Sequence, residues 1–252
     1  MIHINDLTVH YRHSLALSHI TTNIADGDLV AIVGANGAGK STLLKSIMQQ
    51  LKASSGHIDL GDLGLNNIAY LPQSSQIDRS FPITVSEFVS AGAWQRTSFW
   101  RAFSRQEQRL LQQALAKVNL NGMASRQISQ LSGGQFQRML FARMLLQDAD
   151  ILLLDEPFGA IDAQTTEDLM QVIHNCQAQG KTVIAVNHDL ALVQRYFPNT
   201  LLIATELIAA GKTADVLTQA NLIQAGYQYF AHCTAVNHIS KPATTHIPNH
   251  SP

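Results

Sequence analysis

A glycine-rich loop between a predicted strand and a predicted helix constrains this chain more than any other stretch. The loop reads Gly-Ala-Asn-Gly-Ala-Gly-Lys-Ser-Thr over residues 34–42 and follows the apolar run 29–33. Residues 42–48 then have helical spacing, so the loop joins a buried strand to a helix N-terminus. Glycines let backbone N–H groups turn toward a phosphate chain, and the helix dipole favours the same negative charge. The pattern predicts a P-loop that binds a nucleoside triphosphate.

Several residues of this loop are candidate ligands of the nucleotide and of its metal ion. Lys40 supplies positive charge to the β- and γ-phosphates, and the Ser41 hydroxyl is a suitable ligand for Mg²⁺. Tyr11 lies between the strand predicted over residues 2–9 and the P-loop strand, where an aromatic ring could stack on adenine. A half-buried strand tyrosine explains it equally well. The candidates in the loop are Gly34, Asn36, Gly37, Gly39, Lys40, Ser41 and Thr42.

Composition adds a few limits. The chain has 252 residues, enough for one large domain or two lobes, and its formal net charge of −1 argues against a general nucleic-acid binder. No apolar run approaches the length that crosses a bilayer, and the N-terminus has no signal-peptide pattern. Cys176 and Cys233 form neither a C-x-x-C nor a disulfide-rich pattern, and Cys176 fits a small buried residue. These features predict a reduced, cytoplasmic compartment.

Apolar runs and turn signals predict an α/β organisation. The runs at 151–154 and 182–186 are apolar throughout and flank a helical stretch, which predicts a parallel sheet covered on both faces. Residues 74–148 are predicted to be mostly helical, with capping boxes at Thr84 and Ser104. One apolar helix face is predicted from Leu110, Leu111, Ala114, Leu115 and Val118. Further strands are predicted at residues 2–9, 29–33, 57–61, 67–71, 201–204 and 206–209.

A second glycine-rich motif decides between the classes of P-loop protein. Residues 131–135 read Leu-Ser-Gly-Gly-Gln and are followed by Phe-Gln-Arg, shortly before a strand that ends in Asp-Glu. Ser132 and the backbone of Gly133 and Gly134, at a predicted helix start, would make a second anion cradle. With these two motifs, the chain resembles the ATP-binding subunit of ABC transporters over about residues 1–225.

This resemblance implies a fold and an assembly. The fold is α/β, a P-loop NTPase (RecA-like) core with a small antiparallel β subdomain and a helical subdomain. We expect one ABC ATPase domain at 1–230, with a core at about 1–73 and 149–230 and a helical subdomain at about 74–148. Residues 231–252 are expected to form a disordered tail that contains histidines. In the family each ATP lies between the P-loop of one subunit and the Leu-Ser-Gly-Gly-Gln motif of the other, which implies a homodimer.

The resemblance also implies roles for residues outside the P-loop. The strand 151–155 resembles a Walker B motif, in which Asp155 holds Mg²⁺ and the following Glu156 acts as the general base. His188 resembles the switch histidine that contacts the γ-phosphate. Gln73 resembles the glutamine that approaches Mg²⁺ and the attacking water. In the second motif, the implied ATP ligands are Ser132, Gly133, Gly134 and Gln135.

The segment that follows Gln73 indicates a branch of the family. A single set of motifs without a long coiled coil argues for a separate transporter subunit, and Phe-Pro-Ile-Thr-Val at 81–85 is similar to the branch that imports zinc or manganese. Expected partners are a homodimer partner, integral membrane permease subunits at the cytoplasmic face of the membrane, and indirectly an extracytoplasmic metal-binding protein. The alternatives are an iron-siderophore importer and a non-transport soluble ABC protein that acts as a regulator or nucleic-acid factor.

Two further patterns have simpler explanations. Aromatic and arginine side chains are mixed across residues 94–109, as in some nucleic-acid surfaces. Because the net charge is near zero, a solvated helix face or a surface beneath membrane subunits fits better, and no nucleic-acid partner is expected. The tail carries residue types that ligate zinc, but their irregular spacing favours incidental histidines: His232, Cys233, His238, His246 and His250.

Overall fold

The computed structural model describes residues 1–11, 14–94 and 104–227, and within these ranges the chain forms two sheets and a group of helices. The strands are β1 Ile2–Tyr11, β2 Ser14–Ile24, β3 Leu29–Val33, β4 Ser55–Asp59, β5 Ile68–Leu71, β6 Ile151–Asp155, β7 Thr182–Val186, β8 Asn199–Ala204 and β9 Glu206–Lys212. The α-helices are α1 Lys40–Ile47, α2 Val85–Ser90, α3 Arg105–Lys117, α4 Gly133–Gln147, α5 Ala163–Ala178, α6 Leu190–Tyr196, α7 Thr213–Val216 and α8 Gln219–Gln224.

The larger sheet has six strands in the order β5-β6-β7-β3-β8-β9. Every neighbouring pair is parallel except β8 and β9, which are antiparallel. All residues of β3, β6 and β7 are buried, because helices and the second sheet cover both faces of these apolar strands. The predicted parallel sheet is confirmed, and it brings the ends of β3, β6 and β7 together at one edge.

The smaller sheet is antiparallel, in the order β2-β1-β4. Its inner face joins one side of the larger sheet and α1 in a single apolar cluster that includes Ile4, Leu17 and Leu43. β2 is absent from the strands predicted from the sequence, because Ser, His, Thr and Asn interrupt its apolar residues. Only its inward positions are buried, among them Leu17, Ile20 and Ile24. The second strand pairs with β1 along most of its length.

The segment between β5 and β6 is largely helical in its described part, as predicted. Thr84 caps α2 in a reciprocal box with Glu87, whose Oε2 accepts the Thr84 backbone N–H at 2.7 Å. On α3 the predicted apolar face is buried at Leu111, Ala114 and Leu115 and packs in one cluster with α4. Most of the arginine and aromatic mixture at 94–109, namely residues 95–103, and the tail from residue 228 lie outside the described residues. None of the helices in the described part is long and apolar enough to cross a bilayer.

Candidate active site

The P-loop is shaped by glycines where a side chain has no room. Gly39 is the N-cap of α1 and has a left-handed backbone, with φ of 95°. A Cβ added there would lie 2.5 Å from the carbonyl oxygen of Ala16 and 2.6 Å from Cδ2 of Leu17. A Cβ on Gly34 would lie 2.3 Å from the carbonyl oxygen of Ile203. The loop therefore rests directly on β2 and β8 at these two glycines.

A cavity of about 490 Å³ lies over this loop. Tyr11, Leu15 and Ala16 of the smaller sheet form one wall, and Tyr11 keeps 47% of its surface exposed. Gly34, the first residue of the loop, is absent from this lining. From the loop and helix α1 the lining includes Asn36, Gly37, Gly39, Lys40, Ser41 and Thr42. An exposed aromatic ring beside a glycine-rich loop provides surfaces for a base and for phosphates in the same cavity.

Lys40 is buried, and its ammonium group lies inside the loop. Its Nζ donates hydrogen bonds to the carbonyl oxygens of Gly34 and Ala35, each at 2.9 Å. Desolvation lowers the pKa of Lys40, while the nearby carboxylates of Glu156 and Asp155 act in the opposite direction. The side chain is therefore a positive charge held at the floor of the cavity.

Asp155, the last residue of β6, is 2% exposed and receives two hydrogen bonds. Ser41 Oγ donates to its Oδ1 at 3.1 Å, and Tyr70 Oη donates to its Oδ2 at 3.3 Å. Burial raises the pKa of the Asp155 carboxyl, and the hydrogen bond from Ser41 opposes this shift. Burial also raises the pKa of Tyr70. A hydroxyl and a carboxylate oxygen this close are the hard oxygen donors that Mg²⁺ prefers, so these residues fit that ion.

Glu156 lies at a sharp change of direction after β6, with φ of 49°. Its Oε2 accepts a hydrogen bond from Gln73 Nε2 at 2.8 Å and lies 3.9 Å from Nδ1 of His188. Gln73 follows β5 and His188 follows β7, so the ends of three neighbouring strands supply these three side chains. Glu156 also lines the P-loop cavity. The fold therefore brings the predicted carboxylate, amide and imidazole to one edge of the nucleotide cavity.

The second glycine-rich motif forms the N-terminus of α4. Ser132 Oγ accepts the Gln135 backbone N–H at 3.2 Å, and Gln135 Oε1 accepts the Ser132 N–H at 3.1 Å. Gly133 is exposed, and a Cβ on Gly134 would lie 3.2 Å from Oγ1 of Thr165. Among the described residues, the lining of the P-loop cavity includes no member of this motif. Within one chain the two glycine-rich helix starts are therefore separate surfaces.

Two residues near the site were not predicted from the sequence. Tyr70 was assigned only to a strand, although its hydroxyl contacts Asp155. Arg79 lies beyond Gln73, and its guanidinium donates to the carbonyl of Leu131 and lies 4.5 Å from the centroid of the Phe136 ring. It thereby connects the segment after β5 to the start of α4. The sequence contains no spacing signal for either contact, since both join segments far apart in the chain.

A parallel sheet with a P-loop after β3 and carboxylates after β6 defines a P-loop nucleotide-hydrolysing protein. The family model described as ABC transporter matches residues 17–159, more than half of the chain. The chain belongs to the ABC transporter family, and it is an ATPase of that family.

Relatives of known role are similar over most of this chain. It is 39% identical to the manganese transport system ATP-binding protein MntB of Listeria monocytogenes, over 87% of this chain and 93% of that protein. It is 37% identical to the zinc transport system ATP-binding protein TroB of Treponema pallidum, over 86% of this chain and 84% of that protein. Both relatives are named as ATP-binding components of transport systems for a divalent metal ion.

Solved structures show the same fold. A chain assigned to an inward-facing metal-chelate type ABC transporter superposes with a TM-score of 0.80 at 26% identity, covering 90% of this chain and 88% of that one. A dimeric ATP-binding cassette in a post-hydrolysis state, bound to ADP and phosphate, superposes with a TM-score of 0.73 at 28% identity, covering 84% and 99%. The predicted fold class is confirmed by these neighbours and by the two sheets.

Proposed function

We propose that this chain is the ATP-hydrolysing subunit of an importer that moves manganese or zinc through a separate membrane permease. The ATPase activity in this proposal is supported by one observation: Gln73 and His188 both lie close to Glu156, which lines the P-loop cavity. The choice of metal rests on MntB and TroB, which are similar along most of the chain. By this proposal the subunit works at the cytoplasmic face of the membrane, and an extracytoplasmic metal-binding protein delivers the ion to the permease.

The P-loop residues would bind the triphosphate. Gly34 and Gly39 let the loop pack closely against the carbonyl oxygens of Ile203 and Ala16, and the loop amides would bind the phosphate oxygens. Lys40 would exchange its hydrogen bonds to the loop carbonyls for stronger ones to phosphate oxygens. Tyr11, at the cavity wall, would stack on the adenine ring.

Ser41, Asp155 and Gln73 would hold Mg²⁺ at the phosphates. When bound, this ion neutralises charge that develops on the β- and γ-phosphate oxygens. Ser41 Oγ would turn from Asp155 Oδ1 to the metal, and the buried Asp155 carboxylate would supply the compensating negative charge. Burial raises the pKa of Asp155, and a bound cation would favour the ionised form of this carboxyl.

Glu156 would act as the general base on the attacking water. Its Oε2 accepts a hydrogen bond from Gln73 at 2.8 Å, which restricts the orientation of the carboxylate beside the cavity. His188 lies 3.9 Å from the same oxygen and would contact the γ-phosphate. Gln73 thus orients the base while its neighbouring segment reaches α4 through Arg79.

We propose that the active form is a head-to-tail homodimer, in which Ser132, Gly133, Gly134 and Gln135 of one subunit close the P-loop cavity of the other. Support comes from the separation of the two glycine-rich helix starts within one chain and from the dimeric cassette of similar fold. We assign the core to about 1–73 and 149–230 and the helical subdomain to about 74–148. Arg79 contacts the carbonyl of Leu131, just before α4, and so joins two segments within the helical subdomain.

The test is the metal content of cells in which this gene is disrupted, with wild-type and Lys40→Ala genes returned to the same cells. A deficit of manganese or zinc that wild type restores and Lys40→Ala does not would support ATP-driven import of that ion. Unchanged manganese and zinc would overturn the metal assignment. An iron deficit in the same cells would instead indicate a siderophore importer.

A further inference from the structure

Tyr70 occupies the middle of β5, next to the strand that ends in Asp155. β5 and β6 are parallel, and Tyr70 is paired with Leu153, two residues before the carboxylate. Its phenol ring is half-buried, and its hydroxyl donates to Asp155 Oδ2 at 3.3 Å. This contact joins Tyr70 to a buried carboxylate 85 residues away in sequence.

The two oxygens of Asp155 have different partners. Oδ1 accepts from Ser41 on α1, at the P-loop, while Oδ2 accepts from Tyr70 on β5. A carboxylate that is held at both oxygens cannot rotate freely about its Cβ–Cγ bond. If Ser41 turns toward a metal ion, Tyr70 becomes the contact that keeps Oδ2 in place and leaves Oδ1 directed at the P-loop.

We infer that Tyr70 is a positioning residue for magnesium binding: it orients Asp155 through Oδ2 so that Oδ1 faces the site of the ion. This inference rests on the proposed magnesium site. It adds to that site a residue outside the P-loop and outside the strand of the carboxylates. Groups that hydrogen-bond a metal-associated carboxylate fix its direction, and their loss commonly weakens metal binding about 10-fold or more.

Tyr70 also connects the metal site to the segment of Gln73. The chain runs from Tyr70 through Leu71 and Pro72 to Gln73, whose amide holds Glu156. One short stretch at the end of β5 therefore holds both catalytic carboxylates, Asp155 by a phenol and Glu156 by an amide. A substitution of Tyr70 should therefore lower the affinity for the metal ion, because the Tyr70 hydroxyl contacts Asp155 and not Glu156.

The experiment compares wild type, Tyr70→Phe and Tyr196→Phe in the full chain. Both substitutions remove one hydroxyl from a tyrosine bonded to a carboxylate, since Tyr196 Oη donates to Glu167 on the surface. Binding of Mn²⁺, as a paramagnetic substitute for Mg²⁺, is measured by electron paramagnetic resonance with a non-hydrolysable ATP analogue. Binding of the analogue alone is measured in EDTA.

We expect Tyr70→Phe to weaken Mn²⁺ binding about 10-fold, while Tyr196→Phe stays at the wild-type value. Analogue binding in EDTA should be the same in all three proteins, which shows that the P-loop is folded. Equal Mn²⁺ affinity in wild type and Tyr70→Phe would overturn the inference and leave the proposed metal site standing. Wild-type protein that retains no more Mn²⁺ than the free analogue would overturn the proposed site and this inference with it.

Discussion

The two glycine-rich helix starts of this chain could each bind an anion through their backbone N–H groups, but their local structures differ. At α1, Gly39 is left-handed, and no described side chain caps the helix, so the N-terminal amides are left to the cavity. At α4, Ser132 and Gln135 cap each other's backbone N–H groups within the chain. The P-loop is a receptor formed by backbone shape, whereas the exposed motif at α4 already pairs two of its N–H groups within the chain. A helix N-terminus alone therefore does not define an anion site.

Lys40→Ala tests the α1 side of this comparison and should have the largest effect. The variant loses the buried positive charge of the cavity, so ATP affinity should fall about 100-fold, or about 2.7 kcal/mol. Titration with a fluorescent ATP analogue measures the loss. Lys52→Ala, an exposed lysine shortly after α1, is the matched control and should bind as wild type does. Equal affinity in Lys40→Ala and the control would remove Lys40 from the phosphate site.

Glu156→Gln separates binding from chemistry at the same cavity. The amide keeps the shape of the side chain but cannot accept a proton, so turnover should fall about 100-fold or more. ATP affinity should be unchanged, and size-exclusion chromatography with ATP should show a persistent dimer. Glu167→Gln, an exposed glutamate of α5, controls for loss of one negative charge. Wild-type turnover in Glu156→Gln would show that another group activates the water.

Mixing two inactive variants tests whether the two helix starts meet across subunits. Lys40→Ala damages only the P-loop, and Ser132→Arg, with a bulky side chain at the exposed motif, damages only the start of α4. In a head-to-tail dimer, each mixed pair has one site with both defects and one intact site. Since random pairing makes half of the dimers mixed, turnover should recover to on the order of a quarter of wild type. Turnover that remains at the sum of the separate variants would contradict the shared site.

The smallest expected effect on turnover is that of Ser132→Ala, and Ser104→Ala is its matched control. Both serines are N-caps whose Oγ accepts the backbone N–H three residues later at 3.2 Å. Each substitution should lower the free energy of unfolding by about 1 kcal/mol in urea titrations. Only Ser132→Ala should also lower turnover, by about fivefold, because one hydrogen bond to a phosphate is lost. A matching loss of turnover in Ser104→Ala would mean that stability, and not the motif, is responsible.

The sequence predicted the regular parts of the fold where local pattern and tertiary environment agree. Strands β3, β6 and β7 are apolar at nearly every residue because both faces are covered, so a continuous apolar run identifies them. Strand β2 was missed because polar residues interrupt its apolar ones and a left-handed His19 with bulges disturbs the alternation. Its role as the support of Gly39 could not be inferred without the second sheet.

The predicted site residues came from motifs, and the contacts among them came from the structure. A motif identifies Asp155 and Gln73 separately, but nothing in the spacing shows that the short stretch from Tyr70 to Gln73 reaches both carboxylates. The contact between Tyr70 and Asp155 could not be predicted for the same reason, since the partner of a strand tyrosine depends on which strand lies beside it. Parallel sheets join distant segments, so such pairs are decided by strand order.

The left-handed backbone at Glu156 limits which residues can replace it. A non-glycine residue in this region carries a strain of about 1 kcal/mol, which Asn or Gly would relieve. The chain therefore gives up folding energy at the residue proposed to activate water, and substitutions that remove activity here need not remove stability. Screens that select only for thermal resistance would be drawn toward inactive sequences at this position. β-Branched replacements would be excluded by the backbone before chemistry is considered.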